Sequence, residues 1–297
     1  MISIIISSAN DKYLTDINQN INQTIGVPFE IISVDNSKGE SGICRIYNEG
    51  AKNAKFEILC YMHEDLKILT QDWGLIVIDI FKKNNKIGVL GVVGSAYKSI
   101  SPSGWGAESK MNLVKFSNYI QSYKHLNKAS ELIYYNPTNT DLANVVTVDG
   151  MWICTTRQVA RDNPFDEKLL TGFHCYDIDF CLSAGRKHDI AVTFSILMEH
   201  FSEGTYTRGW VEDTIKVHDK FMGILPLSTV AIEEDELYQI EKRAFRLFIE
   251  KLVNMDYSIN FIQELLLKYY RQGKIPSMLF YKLSYYIYKY FLFKKKA

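Results

Sequence analysis

The stretch Tyr61-Met62-His63-Glu64-Asp65-Leu66-Lys67-Ile68 sets a histidine beside two acids where an apolar run, Phe56-Glu57-Ile58-Leu59-Cys60, comes to its end. Imidazole and carboxylate together can hold a divalent cation against a phosphate, and the same residues also make an ordinary solvated turn. Glu64 points to the opposite side of an extended chain from its neighbours, which gives it a structural role. A second acid, Asp35, closes the run "EIISVDNS", where it can meet a ligand or cap its own turn. His174, Asp177 and Cys181 recur at i, i+3 and i+7, one face of a helix expected from about His174 to Lys187. Asp177 there could act as a base or only pair with His174, and Asp179, two residues on, faces elsewhere. Asp149 precedes Gly150 in "VDGMW", an ordinary bend signal.

Something must hold these residues in place, and the pattern says what. Residues 2–6 are a β-branched apolar run suited to a buried strand. Asp11 is placed to cap a helix with Leu14, Ile17, Ile21 and Ile25 on one face. Phe29–Val34 reads as a second strand, and Ile43, Ile46, Tyr47, Ala51 and Ala54 recur at helical spacing. The strand before His63 follows, then a helix capped by Asp72 and a strand over Ile87–Val93. This alternation predicts βαβ units and a largely parallel sheet. In such sheets ligands sit beyond the carboxyl ends of the strands, where Asp35 and His63-Glu64-Asp65 fall. Gly94–Asn112 reads as a long loop, Asn144–Thr156 as strand with a bend, and Ile190–Leu197 as a further strand. From about residue 211 the chain reads as helical, with an apolar stripe through Leu237, Ile240, Ala244, Leu247, Phe248 and Leu252. The run Met278–Phe293 is shorter than the ~20 apolar residues of a spanning helix. Lys282 and Lys289 interrupt it, so it suits either a helix packed on the fold or an interfacial one.

The chain of 297 residues, 47% hydrophobic, can bury a sizeable core. Lys plus Arg and Asp plus Glu balance at 34 each, so no global field favours nucleic acid. Five cysteines without zinc or disulfide spacing are expected to be reduced. The start Met1–Ile6 lacks signal-peptide features, so a cytoplasmic location is expected, with the inner face of a membrane as the alternative.

The pieces "SIIIS", "EIISVDNS", "YNEGAKNAKFEILCYMHED", "VDGMWICTTR", "FDEKLLTGFHCYDIDFCL" and "MEHFSEGT" come in a familiar order over about residues 1–205. Together they resemble the family 2 glycosyltransferases, nucleotide-sugar enzymes of GT-A fold. The resemblance implies a catalytic domain over 1–210 and a helical C-terminal extension over 211–297. It implies a sugar moving from a nucleotide-diphosphate donor, UDP by preference, to an acceptor hydroxyl with inversion at the anomeric carbon. The acceptor would be a saccharide or lipid-linked saccharide in surface glycan synthesis.

By the same resemblance, Asp35 lies on the donor nucleoside, and Asn48, Gly50 and Ala51 belong to the helix beside the nucleotide. Asp65 corresponds to the last acid of an Asp-x-Asp metal motif for Mn2+ or Mg2+, and His200 to a late metal ligand. Asp177 corresponds to the catalytic base. One position departs: His63 stands where the family has its first Asp, so it could ligate the metal or hydrogen-bond the phosphates directly. Asp149 falls to the donor side, and His174, Asp179 and Trp105 to the acceptor, though Trp105 could equally be a buried loop anchor. Two rivals remain at this level. A nucleotidyltransferase would show a glycine-rich phosphate loop, which "SSANDKYL" lacks. A non-catalytic nucleotide-sugar-binding or membrane-scaffold protein of the same fold is the other.

Overall fold

The computed structural model describes residues 1–106, 114–123, 126, 128–202, 204 and 206–294. The first strand, β1 (Ile2–Ser8), sends Ile2, Ile4 and Ile6 into one core and Ile5 into another on the opposite side of the sheet. That alternation is the period-2 consequence of an extended chain buried on both faces. Helix α1 (Asp11–Thr24) follows; its cap is Asn10, whose side chain accepts from Lys12 N and Tyr13 N, and Asp11 is the first helical residue. Then come β2 (Phe29–Asp35), α2 (Ile43–Asn53) and β3 (Ile58–Met62), with β1 paired parallel to both strands. Gly50 lets α2 lie close on β1, since a Cβ there would come within 2.5 Å of Ile5 Cγ2. Next are β4 (Leu66–Ile68), α3 (Trp73–Lys83) and β5 (Ile87–Gly91). Asp72 stands at the cap of α3 but makes no side-chain capping bond.

The segment expected as one long loop from Gly94 contains β6 (Val93–Ser95) and β7 (Tyr97–Lys98); its residues 107–112 lie outside those described. Beyond it run β8 (Lys115–Gln121), β9 (Glu131–Tyr135), β10 (Leu142–Val145), β11 (Thr147–Val148) and β12 (Trp152–Thr156). After α4 (Arg157–Asp162), helix α5 spans Tyr176–Ala184, beginning two residues later than expected. Of the strand expected over Ile190–Leu197, only the first part is strand, β13 (Asp189–Thr193), and β14 (Met198–His200) begins just past its expected end. The C-terminal part holds α6 (Arg208–Phe221), the short β15 (Leu227–Ser228), α7 (Glu234–Asn254), α8 (Ile259–Arg271) and α9 (Ser277–Lys294).

The central sheet has the order β10-β13-β5-β12-β3-β1-β2. Strands β1, β2, β3, β5 and β13 share one direction, and β12 and β10 run against it. A smaller sheet, β11-β6-β8-β14-β4, stands beside it. This is the expected α/β, GT-A-like architecture: a largely parallel sheet between helices with C-terminal helices added.

Those helices share the main core. Ile240, Phe245, Phe248, Leu252, Leu266 and Leu283 are buried in the same cluster as Tyr61 of β3, Tyr47 of α2 and Phe180 of α5. Glu241 of α7 is buried against β7, accepting from Ser99 Oγ at 2.9 Å, Ile100 N at 3.1 Å and the Tyr97 hydroxyl. Among the described residues no helix is long and apolar enough to cross a membrane.

Candidate functional site

β3 ends at Met62, so His63 emerges at the carboxyl edge of the sheet, fixed there by its N–H donating to Met151 O at 2.9 Å. Antiparallel pairing of β14 with β4 sets His200 opposite Leu66, and Phe201 N donates to Asp65 O at 3.0 Å. Two segments 135 residues apart in the chain thereby bring His63, Asp65 and His200 together, with one ligand atom from each lying within 4.8 Å of the others. Glu64 points away, as the alternation requires. Its carboxylate accepts from Ser8 Oγ at 2.6 Å and Ala9 N at 3.0 Å, tying the end of β3 to the start of α1.

The hydrogen-bond chain around His63 decides which nitrogen is free. The Tyr176 hydroxyl donates to Gly150 O at 3.0 Å, so its one proton is spent. It therefore accepts from His63 Nε2, 2.7 Å away, which puts the imidazole proton on Nε2. Nδ1 is left bare, and it faces Asp65 Oδ1 at 3.8 Å. His200 Nε2 lies 3.5 Å from the same oxygen, and neither of these two buried atoms has a hydrogen-bond partner among the described residues. Burial holds the His63 imidazole below its ordinary pKa despite Asp65 beside it, which keeps it neutral. Burial would raise Asp65, but the two imidazoles outweigh it and hold the carboxyl below its usual range. A bare nitrogen and a carboxylate facing each other are two acceptors with no donor between them. A divalent cation is the group that would satisfy both, and an imidazole-carboxylate set suits a transition metal such as Mn2+.

A cleft of about 410 Å³ opens here, lined among others by Ser7, Asn36, Ser41, His63, Asp65 and Phe173. Through the Tyr176 hydroxyl, Gly150 links His63 to the first turn of α5. The Gly150 N–H donates to Asp177 Oδ2 at 3.2 Å, and a Cβ on Gly150 would collide with the Tyr176 ring. Asp177 is pushed up to about 7, first by burial and second by the Asp149 carboxylate. Asp149 itself caps the bend by accepting from Met151 N at 2.8 Å.

Other expected positions fall differently. Asp35 ends β2 at the right edge, yet its carboxylate is exposed and accepts from Ser37 N at 2.9 Å, and its neighbour Asn36 lines the cleft instead. The Asn48 amide is engaged on both atoms with Phe165 backbone and on its nitrogen with Glu167, and it borders a different cleft. His174 precedes α5, because Cys175 takes a left-handed conformation (φ 62°) at the cap. It therefore does not share a helical face with Asp177; its Nε2 lies 3.1 Å from Thr207 Oγ1. Asp179, expected at the acceptor, is 1% exposed and paired with the half-buried Lys220 Nζ at 2.6 Å. Trp105 is partly buried against both cores and accepts from Thr147 Oγ1 at its carbonyl, the loop-anchor alternative.

Two contributors escaped the sequence reading. Tyr176 adjoins Asp177 in "CYDIDF", and its tautomer-fixing hydroxyl had no periodic signal to mark it. Phe173, 52% exposed, stands with its ring 5.6 Å from that of His63, and the Gly172 before it was the only hint.

The profile of a glycosyltransferase-like family matches residues 3–211, and the chain belongs to that family. The resemblance to family 2 glycosyltransferases is thereby borne out. No curated protein matches the chain. Among solved structures, S. aureus TarS 1–349 in complex with UDP aligns at 11% identity and TM-score 0.48, covering 89% of this chain and 78% of that one. GalNAc-T7 with UDP, GalNAc and Mn2+ aligns at 10% identity and TM-score 0.47, covering 70% of this chain and 45% of that one. The chain thus spans less than half of that GalNAc-T7 chain.

Proposed function

We propose that this protein transfers a sugar from a nucleotide-diphosphate donor, a UDP-sugar by preference, to the hydroxyl of a saccharide or lipid-linked saccharide. The carrying observation is the convergence of His63 Nδ1, Asp65 Oδ1 and His200 Nε2 at the carboxyl edge of the sheet, the last two atoms buried without a hydrogen-bond partner among the described residues. These residues would hold the divalent cation, Mn2+ or Mg2+. When bound it would supply positive charge to the departing diphosphate. Tyr176 fixes the His63 tautomer that leaves Nδ1 available. Asp177, carried into the same region by Gly150, takes the proton of the acceptor hydroxyl as its oxygen bonds to the anomeric carbon and the bond to the diphosphate breaks. One in-line displacement of this kind inverts that carbon. On this reading residues 1–210 are the catalytic part and 211–297 its helical extension, working in the cytoplasm or at the inner face of a membrane in surface glycan synthesis.

Calorimetry with UDP and UDP-sugars, with Mn2+ or with chelator, tests it. Tight binding that needs the metal and fails in Asp65→Ala is expected. Affinity indifferent to metal, chelator and Asp65→Ala would remove the cation from the reading.

A further inference from the structure

Helix α9 carries apolar side chains on two opposite faces. Leu279, Leu283 and Ile287 are buried in the main core. On the other side Met278, Tyr281, Tyr285, Tyr288 and Leu292 are each 54–69% exposed. Their three- and four-residue spacing lines them up as one stripe along about four turns, ~20 Å of helix at 1.5 Å per residue. A helix apolar all round is normally enclosed, and this one is enclosed on one side only.

Charge says what the open side meets. Eight basic residues and no acid follow Glu264, although the whole chain is neutral. Lys282 and Lys289 are exposed along one edge of the stripe, Lys282 reaching Tyr238 Oη at 3.3 Å and Lys289 lying over the Phe293 ring. A second copy of α9 laid on this face would bring lysines against lysines, and α9 itself carries no carboxylate to answer them. An anionic surface answers them directly. Three of the five stripe residues are tyrosines, whose apolar ring and polar tip suit the boundary between acyl chains and headgroups. We propose that α9 docks on a lipid surface bearing anionic headgroups. Met278, Tyr281, Tyr285, Tyr288 and Leu292 enter the boundary, and Lys282 and Lys289 meet the headgroup charge. This contact is independent of the transfer chemistry at His63 and Asp65.

Co-sedimentation of the full chain with phosphatidylglycerol–phosphatidylcholine vesicles, beside pure phosphatidylcholine, tests it. Binding to the anionic vesicles alone, weakened at high salt, is expected. Combined Tyr281→Ser, Tyr285→Ser and Tyr288→Ser should cut the partition coefficient at least tenfold at unchanged melting temperature. Combined Lys282→Gln and Lys289→Gln, which leaves the stripe intact, should cut it several-fold and guards against a folding defect in the tyrosine variant. UDP affinity, measured alongside, should be the same in all of them. No binding to anionic vesicles, binding untouched by both variants, or a light-scattering dimer that the tyrosine variant dissolves would each overturn the proposal.

Discussion

Asp177 joins geometry and protonation at a single atom. Its carboxyl titrates near 7 in the folded protein, because burial first and Asp149 second disfavour the charge, against an ordinary aspartate value of 3.8. As the proposed base it must be ionised, so turnover should rise with pH through about 7 and level off above it. The same displacement affects stability. A raised folded pKa contributes stability that is complete below the unfolded value, near 4, and is lost as pH climbs to about 7. Asp177→Asn removes that loss, so its melting temperature should exceed wild type at pH 8 and match it near pH 4. The gain should be ~1–3 kcal/mol, since each displaced unit is about 1.4 kcal/mol and the site is partly open. Turnover of the variant should fall by ~10²–10⁴-fold with donor affinity nearly intact. Near-normal turnover in Asp177→Asn would move the base elsewhere. The neighbouring Tyr176→Phe should keep the fold yet weaken Mn2+-dependent UDP binding, because His63 loses the acceptor that holds its proton on Nε2. Equal metal dependence in Tyr176→Phe and wild type would dismiss that positioning role.

At the scale of elements, α5 sorts its two acids by face. Asp177 meets the Gly150 bend, and Asp179, two residues on, is directed at α6, where Lys220 bridges it to Asp166. Lys220 is 31% exposed and keeps Asp166, so removing Asp179 costs less than the ~3–5 kcal/mol typical of stranding a fully buried charge. Asp179→Ala should therefore lower stability by a few kcal/mol, read from denaturant unfolding, while UDP affinity in the residual folded protein stays at the wild-type value. A stable Asp179→Ala that loses acceptor turnover would return Asp179 to the sugar. The left-handed Cys175 at the head of this helix turns His174 away toward Thr207, which is why the i, i+3, i+7 reading of His174, Asp177 and Cys181 failed. Periodicity describes a helix only where the helix exists.

For the whole molecule, the C-terminal helices are built into the core and not merely attached to it. Glu241 is buried against Tyr97, Ser99 and Ile100, and α7, α8 and α9 complete the cluster that begins under the sheet. A chain cut after residue 233 would expose that apolar face and orphan the Ser99 and Ile100 donors. It should aggregate or melt far below the intact protein in a thermal scan, whereas a version that folds to full stability would show residues 234–297 to be dispensable to the fold.

The sequence by itself determined the alternation of strands and helices, the sheet edge at which His63 and Asp65 emerge, and the outward turn of Glu64. Each of these depends on residues close in the chain, where the two-residue period of a strand and the 3.6-residue period of a helix act directly. It also carried the family's ordered motifs. Tertiary structure alone decided the rest. His200 meets Asp65 because β14 pairs with β4, and no local rule connects positions so far apart. Tyr176 sets the His63 tautomer through a contact across 113 residues. Asp35, Asn48 and Asp179 carry carboxylate and amide chemistry that the sequence alone cannot assign, and only the folded chain shows their partners to be a turn, a loop and a lysine. A polar side chain's role depends on which donors and acceptors remain unanswered around it, and that is settled by packing.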